Sequence, residues 1–162
     1  YQLSTGQILR NEIKKKTELG KEISSIINSG SLVSDEVVKK LVENFISNQK
    51  YKNRLIFDGY PRNLAQAKTL NELLSKYDQK INLVLKLSVS LKTIKKRILE
   101  RRNIEKRSDD NEENAIKRYE TYEKSTEPVI GYYKKLNLLK LINGERSIDQ
   151  INKEISDIIS LI

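Results

Sequence analysis

The sequence predicts an α/β fold with a mostly parallel sheet, on three grounds. Short apolar runs alternate with long amphipathic stretches, so strands come separated by helices. No repeat, low-complexity linker or shift in composition divides the 162 residues, which suffice for one domain with a core of its own. One apolar run stops abruptly at Asp58–Gly59 and another at Gly144, and parallel sheets bind ligands at the carboxyl ends of strands.

Taken in order, "YQLS" (1–4) reads as a short strand. The pattern from Thr5 to Leu19 is helical, and Gly20 punctuates it. Residues 21–29 form a second helix stopped by "NSGS" at 28–31. Ser34 is an N-cap followed by two acids, and Val37, Val38, Leu41, Val42, Phe45 and Ile46 share one helical face. "RLIFDG" (54–59) reads as a buried strand, and Asn63 to Tyr77 as a helix. "INLVLKLSV" (81–89) is a strand of β-branched and aliphatic residues with one lysine.

Ser90 caps a basic helix, "LKTIKKRILERR", and "NIEK" (103–106) is a non-helical link. Asp109 with Glu112 resembles a capping box at the start of a long helix through Tyr133, which Pro128 should kink or break. "NLLKLING" (137–144) is the last strand. Ser147 with Gln150 caps a final helix whose apolar face is Ile148, Ile151, Ile155, Ile158, Ile159 and Ile162.

Composition removes several kinds of chemistry. Cysteine and histidine are both absent, which excludes disulfides, thiolate catalysis, a Cys/His zinc site and a histidine-based triad. No apolar run approaches the ~18 residues of a membrane span, and no charged-then-apolar signal segment opens the chain. The expectation is a cytoplasmic enzyme or binding protein without a membrane partner. Methionine is absent even at position 1, and "YQLSTG" opens inside an apparent element, so the expectation is also a chain lacking its natural N-terminus.

The net charge of +9 has two readings. Lysine-rich composition accounts for most of it, because runs such as Lys14–Lys16 and Lys39–Lys40 sit on helix faces. An anionic partner accounts for the arginines better, since a guanidinium fork matches phosphate oxygens. Arg10 lies in the first helix and Arg62 follows a strand. Arg97 and Arg101 are four apart on one helical face, and Arg107 and Arg118 align over three turns if their helix begins near 109. Such forks could converge on one polyphosphate. For any single arginine a surface ion pair is the better reading, Arg118 with Glu112, Glu113 or Glu123 for example, but for the set it is not. The eight tyrosines and two phenylalanines are scattered, which argues against a nucleic-acid-binding face.

Three motifs carry a resemblance. "FDGYPRNLAQ" (57–66) is similar to the signature of the adenylate kinase family. "LSTGQILR" (3–10) resembles that family's AMP-side motif, and "RSDDNEENAIKRYETY" with "TEPVIGYY" resembles the segment after its lid. The three occur in the family's order, and the likeness covers essentially the whole chain. It implies a single domain over 1–162 with a P-loop kinase-like parallel sheet flanked by helices. Within it lie an AMP-binding region near 4–33 and a short lid near 101–110.

The resemblance also implies roles. Thr5, Arg10, Val33, Gly59, Arg62 and Gln66 bind AMP, with Arg10 and Arg62 on its phosphate and Gln66 on the adenine edge. Val33 acts through its backbone. Arg62, Arg97, Arg101, Arg107 and Arg118 are the catalytic arginines, gathering on the phosphates of both nucleotides. Arg107 and Arg118 also reach AMP, while Arg97 and Arg101 reach ATP. Asp58 orders the waters around Mg2+, Asp109 and Asp110 hold the lid closed, and Arg146 lies near the ATP adenine. The implied partners are ATP, AMP and ADP, and the implied state is a monomer without zinc.

UMP/CMP kinases resemble the chain around "GYPRN", and Asn63 matches them. They usually carry Ala at the position of Thr5 and Asn at that of Gln66, so this pair favours AMP. Two departures stand out. Gln7 occupies a position where the family usually has Asp, and a modest effect is expected. Nothing matches the glycine-rich loop "GxxxxGK", which the resemblance places before Tyr1 on the central strand of five. The chain as written is therefore expected to turn over poorly and to fold poorly alone. A non-catalytic nucleotide- or nucleic-acid-binding remnant is the remaining alternative.

Overall fold

The computed structural model describes residues 1–29, 31–107 and 109–161. Gly30 of the expected helix stop, Ser108 of the lid motif and Ile162 of the last apolar face lie outside them. Among the described residues four short strands and eight α-helices alternate as the sequence pattern requires. Strand β1 (Gln2–Ser4) runs parallel to β2 (Ile56–Asp58), with Leu3 opposite Phe57. Strand β3 (Val84–Ser88) runs parallel to β4 (Leu139–Asn143), with Lys86 opposite Leu141. Among the described residues the two pairs form separate sheets. No helix there is long and apolar enough to cross a membrane.

The first sheet carries most of the core. Helix α1 (Thr5–Lys14) leaves β1 directly, followed by α2 (Glu18–Asn28) and α3 (Asp35–Ile46). Leu3, Ile23, Val42, Ile46 and Leu70 are almost wholly buried together, and Val37, Leu41 and Phe45 pack against them. Helix α4 (Leu64–Lys76) closes this cluster and passes Ala67 to a smaller one with Val129 and Tyr133.

The break between the first two helices falls at 15–17, not at Gly20. Gly20 lies inside α2, where an added Cβ would sit 2.1 Å from the Glu12 carbonyl oxygen. The residue is there for close helix approach rather than as a stop. Thr17 caps α2 by accepting from the Gly20 amide at 3.0 Å. Ser34 precedes α3 as expected, but its side chain makes no capping bond.

Strand β2 is not buried: Ile56 is 64% exposed, because only β1 pairs with it among the described residues. Helix α5 (Leu91–Glu105) continues through Asn103–Glu105, where the sequence pattern suggests a link, and ends at the left-handed residue Lys106. Among the described residues Asp109 caps no helix. Asn111 caps α6 (Glu112–Thr121) by accepting from the Asn114 amide, because Asp109 is committed to Arg118.

A π-helical turn, Tyr122–Thr126, separates α6 from α7 (Glu127–Lys135), whose first turn holds Pro128. The interruption expected of that proline is thus a wide turn followed by a fresh helix. The capping box of Ser147 and Gln150 starts α8 (Ile148–Ile159) as expected. The expected apolar face is mostly uncovered. Among its described residues only Ile151 is buried, while Ile148 and Ile159 are exposed.

Candidate functional site

The carboxyl ends of β1 and β2 meet at Gly59, whose φ of +68° suits a residue without a Cβ. Its carbonyl accepts from Thr5 Oγ1 at 3.0 Å and from Arg62 Nε at 2.7 Å. One backbone oxygen thereby ties the start of α1 to the loop before α4. The Tyr60–Pro61 peptide is cis, and the Arg62 carbonyl accepts from Thr126 Oγ1 at 2.7 Å. Thr5, Gly59 and Arg62 are therefore brought together as the motifs suggested.

Guanidinium groups crowd this corner. Burial is the main cause that lowers the Arg62 pKa, and the charge of Arg118 adds to it, with Asp58 opposing and Arg10 reinforcing. The Arg10 pKa is lowered first by burial, then by Arg107 and Arg101, against Asp109 and Glu105. Both stay charged, since an arginine does not deprotonate in a protein. Like charges from α1, the loop before α4, α5, α6 and the segment after α5 thus lie within electrostatic reach of one another. Such a grouping suits an anion of several charges.

Two acids compensate part of that charge. Asp110 is fully buried and accepts from Arg101 Nε and Nη2 at 2.6 and 2.7 Å, and from Arg118 Nη1 at 3.2 Å. Asp109, also buried, pairs with Arg118. Burial alone would raise the Asp110 carboxyl, but the hydrogen bond and charge of Arg101, with Arg118, hold it below the ordinary range. The Arg118 partners are thus these aspartates rather than Glu112, Glu113 or Glu123. Arg107 lies before α6, so helical alignment does not bring it to Arg118. It donates to Glu105 at 2.6 Å.

Gln66 sits one helical turn past Arg62, almost wholly buried. Its Oε1 accepts from the Arg62 amide at 2.7 Å, and its Nε2 donates to Asp35 Oδ1 at 2.7 Å. Asn63 caps α4 by accepting from the Gln66 amide at 2.8 Å, and donates to both Asp35 oxygens at 3.0 and 3.1 Å. Val33 is buried in the same core cluster as α3.

Arg97 and Arg101 part company despite sharing a face. Arg97 Nη2 reaches the Gly144 carbonyl at 2.8 Å, at the end of the second sheet. Next to it Glu145 accepts from the Ser90 amide at 2.5 Å and from Thr93 Oγ1 at 2.6 Å, bracing the start of α5, which Ser90 caps. Arg146 pairs with Glu154 at 3.0 Å, on the wall of an open cavity of about 560 Å³ along α8. Gln7, at the position where an acid was expected, accepts weakly from Arg10 at 3.4 Å and donates to Asn11 at 3.0 Å.

Asp58 closes β2 with an exposed carboxylate that accepts from Gln2 Nε2 at 3.0 Å. Among the described residues no cluster of three or more acids stands ready to hold a metal directly. A lone carboxylate suits a hard divalent ion that keeps most of its waters and takes its other oxygens from phosphates.

Sequence reasoning missed Asp35, Thr126 and Glu145. The "SDE" at 34–36 reads only as helix-dipole complement. The tie from Thr126 to Arg62 spans 64 residues and leaves no local signal. Asn114 and Lys117 are similar: they reach back to the carbonyls of Asn28 and Ser29, joining α6 to the end of α2.

A family model described as adenylate kinase matches residues 1–138. An adenylate kinase of Pelagibacter ubique is 40% identical, with 99% of this chain and 88% of the relative covered. One from Prochlorococcus marinus strain MIT 9301 is 43% identical over 94% of this chain and 81% of the relative. One from Thermus thermophilus is 39% identical, covering 92% and 77%.

Proposed function

The chain belongs to the adenylate kinase family of phosphotransferases, and from that premise we propose that the intact protein moves the γ-phosphoryl group of ATP reversibly to AMP, giving two ADP. The observation that carries the reading is the arginine crowd at the Gly59 corner, partly balanced by Asp109 and Asp110. No covalent nucleophile is needed. Catalysis is positioning plus electrostatic stabilisation of the charge spread over the transferring group.

In this reading Arg10 and Arg62 take the AMP phosphate, Thr5 and Gly59 frame the nucleotide, and Gln66 and the Val33 backbone meet the adenine. Arg97, Arg101, Arg107 and Arg118 attend the phosphates between the two nucleotides, and Arg146 lies toward the ATP base. Residues 101–110 act as a short lid and 4–33 as the AMP-binding region, closing together to exclude water. Asp58 would hold Mg2+ through water, and the ion would neutralise phosphate charge when bound.

The reading includes an interior strand between the two sheets, bearing a phosphate loop that cradles ATP. The separation of β1–β2 from β3–β4 and the exposure of Ile56 and Leu87 support it. It further includes a cytoplasmic monomer. A UMP/CMP-type acceptor is the alternative, on the match of Asn63, which here caps α4 and donates to Asp35.

The test uses the intact protein. Offered AMP, CMP, UMP and GMP with ATP, it should turn over AMP fastest. Arg62→Ala should lower turnover by about 10²-fold or more and weaken AMP binding. Unchanged AMP binding in that variant would remove the site assignment.

A further inference from the structure

We propose that Asp35 is a specificity-positioning residue, whose carboxylate fixes which way the Gln66 amide faces and so sets which base edge the site accepts. The proposal rests on the reading that Gln66 meets the base. A glutamine amide can present its oxygen or its nitrogen to a ligand, and the two orientations have nearly the same shape. Here two neighbours of opposite character remove the choice. A carboxylate only accepts, so Asp35 Oδ1 holds Nε2 at 2.7 Å. A backbone amide only donates, so the Arg62 N–H holds Oε1 at 2.7 Å. Reversing the amide would set donor against donor at Arg62 and acceptor against acceptor at Asp35.

Asp35 is itself held in place. It opens α3, and Asn63 Nδ2 donates to both its oxygens while Asn63 Oδ1 caps α4 through the Gln66 amide. The charge of Asp35 is also felt at Tyr60, whose hydroxyl, pushed up to about 12 first by burial and then by Asp35, contacts the Gln66 carbonyl at 3.4 Å. Among the described residues each end of the Gln66 amide has one partner and retains one hydrogen-bonding position. Nε2 has a second proton and Oε1 a second lone pair. That pair matches a 6-amino purine, which offers an acceptor at N1 and a donor at N6. A 6-oxo purine presents the reverse pattern. The lock therefore selects AMP over inosine monophosphate even where shape does not distinguish them.

The experiment measures binding of AMP and of inosine monophosphate by calorimetry to the intact protein and to Asp35→Asn, Asp35→Ala, Gln66→Leu and Asp35→Ala/Gln66→Leu. An Asn at 35 can offer either an oxygen or an N–H, so it should weaken the lock without removing a side chain. Thermal melts confirm that each variant is folded. The AMP preference should fall about tenfold in Asp35→Ala and by less in Asp35→Asn. In the Gln66→Leu background, removing Asp35 should leave the preference unchanged, because nothing remains to orient.

A merely structural Asp35 would lower both affinities together and leave their ratio intact, which overturns the proposal. If Gln66→Leu collapses the ratio but Asp35→Ala does not change it, the proposal fails while the base-reading role stands. If Gln66→Leu leaves the ratio untouched, the base-reading role and the proposal fall together.

Discussion

Asp110 is wholly buried yet charged, and Arg101 holds it with two parallel donors at 2.6 and 2.7 Å. Arg101 and Arg118 are partly exposed, so deleting Asp110 costs its charge-assisted hydrogen bonds, about 2 kcal/mol, rather than stranding a buried charge. Asp110→Ala should therefore melt markedly earlier than the parent. Because the folded-state pKa of Asp110 is depressed, its contribution is complete above the ordinary carboxylate value near pH 4. It is lost as pH falls through the lower folded-state value. Melting curves from pH 6 to pH 2 should show a steeper acid loss in the parent than in Asp110→Asn. Parallel acid limbs would show that the pair contributes nothing to stability.

Gly20→Ala should destabilise strongly. The new methyl would lie 2.1 Å from the Glu12 carbonyl oxygen, which is backbone and cannot swing aside. Overpacking of this kind costs on the order of 3 kcal/mol, or ~6–12 °C in melting temperature for a chain of this size. A shift under about 2 °C would mean that the two helices separate without penalty.

Thr126→Val keeps the shape of the side chain and deletes the hydroxyl that binds the Arg62 carbonyl at 2.7 Å. The bond is already present in the free protein, so losing it costs about 1 kcal/mol of folding stability, roughly 2–4 °C in melting temperature, and weakens AMP binding through the loosened Arg62. Thr126→Ser should restore most of it. Calorimetric titration of the intact protein with AMP distinguishes the outcomes.

Tyr133 is buried with its hydroxyl unpartnered among the described residues, and burial raises its pKa. Replacing such a group by an apolar one of the same shape is close to neutral or stabilising. Tyr133→Phe should therefore leave the melting temperature unchanged or raise it slightly. A clear loss would reveal a partner for that hydroxyl in the intact protein.

The alternation of strands and helices is legible in the sequence because each element carries its own period, as in Val38, Val42 and Ile46 on one face of α3. The caps at Ser90 and Ser147 are legible for the same local reason. Gly20 misleads, because a glycine that stops a helix and one that admits a neighbouring backbone look alike in one dimension. Asp109 misleads too, since its pairing with Arg118 outweighs the capping role that its spacing from Glu112 suggests. The motif residues Thr5, Gly59 and Arg62 are legible as a group, but the supports of Arg62 and Gln66 come from Thr126 and Asp35, distant in sequence. Hydrogen bonds across such separations leave no periodic trace.

The guanidinium crowd around Arg10 and Arg62 bears on how long the protein survives. Like charges that Asp109 and Asp110 balance only in part store repulsion that a bound phosphate relieves. A nucleotide at about a hundred times its dissociation constant would add about 2.7 kcal/mol to the folded state. On the proposed function, nucleotide supply would thus set how much of the chain stays folded and out of reach of proteases.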